Sequence, residues 1–222
     1  MTTSKMETGL RERKKEQTRQ LIADTARRLF AERGFEAVTV AEIARAAGVA
    51  EKTVFNYFPT KEELFYSRLE AFEEELLAAV HERAPGVSIP AAVRGFLMAQ
   101  RGVLAMEAPG GDEEATQQLR TVTRVITDSP ALLARERQVF AQYAEALAGL
   151  IGKETDARPG AIEPQVVANL LLGVHRALID YVRARALAGA TASQVAREVR
   201  ARAKRAFELL EDGIGDYGVR KA

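Results

Sequence analysis

The chain has 222 residues, 47% hydrophobic and 28% charged, enough to bury the cores of one small and one medium domain and too apolar for a disordered polyampholyte. It contains no cysteine, which excludes disulfide frameworks, thiolate zinc sites, iron–sulfur clusters and thiol catalysis; two distant histidines leave little for metal binding or imidazole chemistry. The net charge of +1 conceals an asymmetry: residues 1–60 carry 11 Lys/Arg against 8 Asp/Glu and the remainder 21 against 23, so a polyanion partner suits one end only.

The N-terminal segment MTTSKMETGLRERKKEQ lacks the apolar stretch of a signal peptide. The most apolar run, Asn169 to Val182, is interrupted by His175, Arg176 and Asp180 and is no membrane span. A soluble, cytoplasmic protein with no membrane partner, metal or cofactor is expected. Runs rich in Ala, Leu, Glu and Arg alternate with short Gly/Pro breaks, and no stretch shows the two-residue alternation of a strand, so the fold is read as all-α. The first helix is expected from Arg11 to Arg33, with Leu21, Ile22, Ala26, Leu29 and Phe30 forming one apolar stripe and Gly34 ending it. Thr39-Val40-Ala41-Glu42 reads as a capping box that opens a helix over Val40–Ala47, closed by Gly48. A third helix follows over Ala50–Phe58 and stops at Pro59. Thr60-Lys61-Glu62-Glu63 is a second box, opening a long helix to Arg83. Later spans are read as Pro90–Met106, Asp112–Thr127, Pro130–Thr155, Pro164–Gly189 and Thr191–Gly213, about nine helices in all. The domain boundary falls at Pro59 to Lys61: a three-helix domain over 1–60 and a helical bundle over 61–222.

Two short helices joined by a glycine-containing turn inside a three-helix unit match a helix-turn-helix, whose second helix enters the DNA major groove. Its outward residues here are Glu51, Lys52, Thr53, Asn56 and Tyr57. Lysine donates to guanine, asparagine pairs bidentately with adenine, and threonine offers a hydroxyl and a methyl. Thr39, Tyr57 and Lys61 lie at or near helix starts, where hydroxyls and amides clamp phosphates. Val54, Phe58, Ile43 and Leu29 are core. Tyr57 is either a phosphate contact or a packed aromatic. Lys14, Lys15 and Arg19 form either an arm on the minor groove or a plain solvated helix start. Glu51 either reads cytosine and orients Lys52 or sits at the rim.

Residues 14–65, and above all Thr53-Val54-Phe55-Asn56-Tyr57-Phe58-Pro59-Thr60-Lys61-Glu62, closely resemble the DNA-binding domain of the TetR family of transcriptional regulators. The match runs from Thr18 to Phe65, about a quarter of the chain. The resemblance implies a homodimeric helical repressor on a palindromic double-stranded operator, released by a small-molecule effector in the C-terminal domain. It puts Thr39, Tyr57 and Lys61 on phosphates, and Glu51, Lys52, Thr53 and Asn56 on bases or the adjacent backbone. Ala50 departs from the pattern, where Ser or Thr is usual and caps the recognition helix; Phe55 stands where many members carry tyrosine.

By the same resemblance the last two helices pair with their symmetry mates. Val166, Val167, Leu170, Leu171, Val174, Leu178, Tyr181 and Val182 make an apolar face broader than one neighbour needs, part of it buried within the monomer. Polar residues on apolar faces are the candidates for an apolar or amphipathic, possibly acidic, effector: Gln100, Arg101, Gln117, Arg120, Arg124, Tyr143, Asn169, His175 and Arg176. Arg120 and Arg124, one turn apart, suit a carboxylate or phosphate. The segment Pro130–Phe140, PALLARERQVF, loosely resembles members that sense acyl-CoA-like molecules. An enzyme is disfavoured: Gly149-Leu150-Ile151-Gly152-Lys153-Glu154 lacks the spacing and hydroxyl of a phosphate loop. A purely protein-binding helical module is disfavoured by the capping boxes and the outward Lys-Thr-Asn-Tyr set.

Overall fold

Glycine and hydroxyl caps set the boundaries of the N-terminal helices. In a computed structural model that describes residues 3–67, 69–99, 111–214 and 219, the first helix, α1 (Thr3–Arg33), ends where the Gly34 amide donates to the Phe30 carbonyl at 2.9 Å. Gly34 has φ +81°, a left-handed conformation costly for any residue with a Cβ. α2 (Val40–Ala47) opens on the complete Thr39–Glu42 box and closes at Gly48, φ +66°. After this turn comes α3 (Glu51–Tyr57), one residue shorter at each end than expected, because Ala50 and Phe58 are the extended flanking caps.

The described residues contain ten helices and no strand, so the fold is all-α with an N-terminal helix-turn-helix. α1 begins at Thr3, eight residues before the expected Arg11. The long fourth helix is two: α4 (Lys61–Phe65), capped by the Thr60 hydroxyl accepting from the Glu63 amide, and α5 (Leu69–His81). Tyr66 leaves helical geometry at φ −91°, ψ 19°, and its hydroxyl donates to the Leu132 carbonyl at 3.2 Å, a tertiary bond that local spacing does not encode. Next come α6 (Ile89–Met98), α7 (Gly111–Thr127), α8 (Pro130–Glu154), α9 (Glu163–Leu187) and α10 (Ala192–Ile214). α6 stops earlier than the expected Met106, since Ala99 is extended at ψ 145°.

By compactness the chain forms two units, residues 1–69 with 125–133 and residues 70–124 with 134–222. The core of the first joins Ile22, Ala26 and Phe30 of α1 to Ile43, Val54, Phe58 and Leu64, with Val125, Ile126 and Leu132 completing it. Phe30, Phe35 and Phe65 pack ring against ring at centroid distances of 5.0 to 6.2 Å. In the second unit α9 and α10 pack through Leu178, Val182, Val195, Val199 and Ala203. Among the described residues no helix is long and apolar enough to cross a membrane, and no His/Asp/Glu group is arranged for a metal.

Candidate functional site

In the first unit the outward side of α3 carries Glu51, Lys52 and Asn56, all exposed, with Thr53 and Tyr57 half-buried beside them. Thr53, Asn56 and Tyr57 meet Lys14, Lys15 and Thr18 of α1 around one open groove of about 500 Å3. Residues 13–17 of α1 are exposed and serve no core; Lys14 and Lys15 face the same concavity as the recognition-helix side chains. Thr18 is not singled out in the sequence, and Phe55 only as a departure from the family's tyrosine. Phe55 is 45% exposed on α3, a large ring that nothing in the fold requires at the surface. Thr18 sits one turn after Lys14 and donates its hydroxyl to the Lys14 carbonyl at 2.9 Å.

Thr39 and Lys61 are already engaged within the unit. The Thr39 hydroxyl accepts from the Glu42 amide at 3.2 Å and donates to the Glu42 carboxylate at 2.9 Å; the Thr39 amide donates to the same carboxylate at 2.9 Å. Hydrogen bonds from the Thr39 amide and hydroxyl, with Arg33 adding its own, hold the Glu42 carboxyl down to about 2. The Lys61 ammonium donates to the carbonyls of Phe35 at 3.0 Å and Val38 at 3.2 Å and lies 4.1 Å from the Phe35 ring centre. It ties the start of α4 to the loop between α1 and α2.

The second unit separates the candidate effector residues into three places. Tyr143 and His175 are buried in an aromatic cluster: the imidazole stacks on Phe72 at 4.8 Å and lies 5.5 Å from Phe140, and Phe72 also meets Phe96 and Tyr143. His175 is 4% exposed and neither ring nitrogen has a hydrogen-bond partner. Burial pushes its pKa down to about 4, the nearby Glu136 charge opposing in part. Asn169 and Arg176 instead line an open groove between α8 and α9. Gln117, Arg120 and Arg124 lie along α7, where an Arg120 amino group donates to the Gly189 carbonyl at 2.8 Å. Gln100 and Arg101 lie outside the described residues. Spacing along a helix identified polar residues on apolar faces; which helix covers each face is set by tertiary packing.

The α9 face expected to pair with a second copy divides in two. Val167, Leu171, Leu178 and Val182 turn inward and Val174 and Tyr181 are half-buried, so of that set Val166 and Leu170 face solvent; Ile162 (71% exposed) and Leu187, at the two ends of α9, are exposed as well.

Residues 22–67 match the family described as "Bacterial regulatory proteins, tetR family", and residues 97–215 match the "MftR C-terminal domain". The sequence is 30% identical over 162 residues to the putative mycofactocin biosynthesis transcriptional regulator MftR of Mycobacterium tuberculosis, covering 73% of this chain and 78% of that one. It is 33% identical over 153 residues to the HTH-type transcriptional regulator TcmR of Streptomyces glaucescens, covering 68% and 65%. Among solved structures it resembles NalD of Pseudomonas aeruginosa, the secondary repressor of the MexAB-OprM multidrug efflux pump. That likeness has a TM-score of 0.54 at 20% identity, covers 87% of this chain and 96% of NalD, and concerns the fold.

Proposed function

Because the chain belongs to the TetR family, DNA-binding transcriptional regulators and not enzymes, we propose that it is an effector-released repressor that binds a palindromic operator as a homodimer. Residues 1–60 would serve as the DNA-binding domain and 61–222 as the ligand-binding and dimerisation domain, acting in the cytoplasm where the DNA is. The observation that carries this reading is the shared groove of α1 and α3, which gathers two lysines, two threonines, an asparagine and a tyrosine on one open surface. Glu51, Lys52, Thr53 and Asn56 read bases or the adjacent backbone, while Thr39, Tyr57 and Lys61 contact phosphates. The solvent-facing Ile162, Val166 and Leu170, each one turn apart, with Leu187 at the far end of α9, support pairing of α9 and α10 with a second copy, since exposed apolar side chains are costly in water. A two-fold dimer then presents its recognition helices to half-sites one helical turn apart, roughly 34–36 Å, or a multiple of it.

Release follows if an apolar or amphipathic effector binds the DNA-incompetent arrangement more tightly. Tyr143, Asn169, His175 and Arg176, with Gln117, Arg120 and Arg124, are the described candidates, and the unpartnered His175 imidazole favours a polar group on the ligand. The test is fluorescence anisotropy with DNA from upstream of the gene and with scrambled DNA, at two salt concentrations. The expected outcome is salt-dependent binding that prefers the upstream DNA. Asn56→Ala should weaken preference at one base position by about 1–3 kcal/mol without changing the salt slope. Equal loss on every sequence would remove Asn56 from base reading, and salt-independent weak binding to both DNAs would sink the operator reading.

A further inference from the structure

The outward surface of α3 has an apolar centre. A helix turns about 100° per residue, so its four exposed residues fall in the angular order Glu51, Phe55, Lys52, Asn56 within an arc of about 140°. The phenyl ring therefore stands between a carboxylate and an ammonium, with the Asn56 amide just beyond. Among the described aromatic side chains Phe55 alone is exposed, and it takes no part in the ring packing of Phe30, Phe35 and Phe65. Val54, away from this arc, is fully buried and serves the core in its place. The polar groove shared with α1 runs through Asn56, Thr53 and Tyr57 and leaves Phe55 outside it. Two kinds of surface thus adjoin at Asn56: hydrogen-bonding groups on the side of α1, and an apolar ring on the side away from it.

We propose that Phe55 reads thymine: its ring packs on the C5 methyl of one thymine in each operator half-site, a specificity-determining contact beside the hydrogen bonds of Lys52 and Asn56. A phenyl ring offers no donor or acceptor, so it contributes through apolar contact alone, and the thymine methyl is the apolar group among the base edges of the major groove. A phosphate is the other neighbour open to a surface residue of α3, and two features disfavour it. Residue 55 lacks the hydroxyl with which a tyrosine would donate to phosphate, and the Glu51 carboxylate one turn earlier repels the backbone charge from this side of the ring. Covering the ring also removes apolar surface that the free chain leaves in water. The inference rests on the operator reading above and adds to it a base identity and the side chain that sets it.

The test uses the full chain and a duplex that the parent protein selects from a random-sequence pool. Each thymine is replaced in turn by deoxyuridine in both half-sites, which keeps every hydrogen-bonding group and removes only the methyl. Anisotropy should show one position where the parent loses about fourfold in affinity per half-site, the effect of leaving one methyl group unburied. Phe55→Ala should bind the thymine duplex more weakly than the parent and be indifferent to uridine at that position. Phe55→Leu, which keeps an apolar side chain, should recover part of the discrimination. Both variants should keep the parent's circular dichroism and urea midpoint, because the ring is exposed. Uridine that costs nothing at every position, or costs Phe55→Ala as much as the parent, overturns the proposal. So does loss of the parent's urea midpoint or oligomeric state in Phe55→Ala, which would give the ring a protein partner. A parent that selects no sequence from the pool takes the operator reading down together with this contact, whereas a parent that binds its selected duplex and ignores uridine removes the thymine contact alone.

Discussion

The two units put their polar side chains to opposite uses. In the first, caps and surface residues carry the polarity: Thr39 and Thr60 close helix starts, Lys61 ties a loop, and Glu51, Lys52 and Asn56 face outward over an apolar core. In the second, polar groups are drawn inward. Arg83 is buried, donating to Glu154 at 3.0 Å and to the Val80 carbonyl at 2.6 Å, and His175 sits among aromatic rings with no partner. A unit that reads an external polyanion needs a rigid scaffold and an exposed set of donors. One that responds to a small molecule keeps some interior polarity unsatisfied, at a cost to its own stability.

His175 tests that difference most strongly. Its pKa falls from 6.5 to about 4 in the folded chain, so between these values the unfolded chain binds a proton that the folded chain refuses. Stability is therefore full above about 6.5 and declines as the pH drops toward 4, by up to about 3 kcal/mol. Urea midpoints at pH 7 and pH 5 should differ in this direction, and His175→Leu should flatten the difference while raising the midpoint at pH 5. An unchanged acid slope in the variant would mean that the imidazole is not the group excluded from protonation.

Lys61 tests the opposite side. Resemblance puts it on a phosphate, yet its ammonium already spends two of three donors on the Phe35 and Val38 carbonyls. Lys61→Met keeps the aliphatic stem and removes the donors and the charge above the Phe35 ring. A loss of about 1–2 kcal/mol in unfolding free energy is expected, together with weaker DNA binding whose salt slope drops by about one unit. Lost DNA affinity with intact stability would show that these carbonyl bonds contribute little to the fold and that the phosphate is the partner that matters.

These cases also mark what was legible in the sequence. The Thr39 box, the stops at Gly34 and Gly48 and the outward Glu51, Lys52 and Asn56 of α3 are encoded within three or four residues, so spacing alone placed them, whereas Thr53 and Tyr57 of the expected outward set are half-buried. Lys61 bonds residues 23 and 26 positions away, and the break after α4 coincides with the bond from Tyr66 to Leu132, 66 positions distant. The groove that joins Arg137 to Arg176 likewise depends on how α8 packs on α9. Helical periodicity gives the apolar face of each helix and leaves open which neighbour covers it, so Asn169 and His175, both polar on apolar faces, ended in different places.

The smallest effect expected concerns Ala50, where a local rule is broken. The residue holds extended cap geometry at φ −72°, ψ 148°, but brings no oxygen to the first turn of a seven-residue helix. So short a helix has no margin of its own and depends on packing through Val54. Ala50→Ser supplies an acceptor for the Lys52 amide, the Thr53 amide already donating to the Ala50 carbonyl at 2.9 Å, and should raise stability by about 1 kcal/mol, read as a higher urea midpoint. Operator affinity measured on the same variant decides why alanine is tolerated. If affinity rises with stability, the missing cap is a plain deficit in ordering α3. If stability rises while affinity falls, the first-turn Lys52 amide serves the DNA, and a serine oxygen competes with phosphate for it.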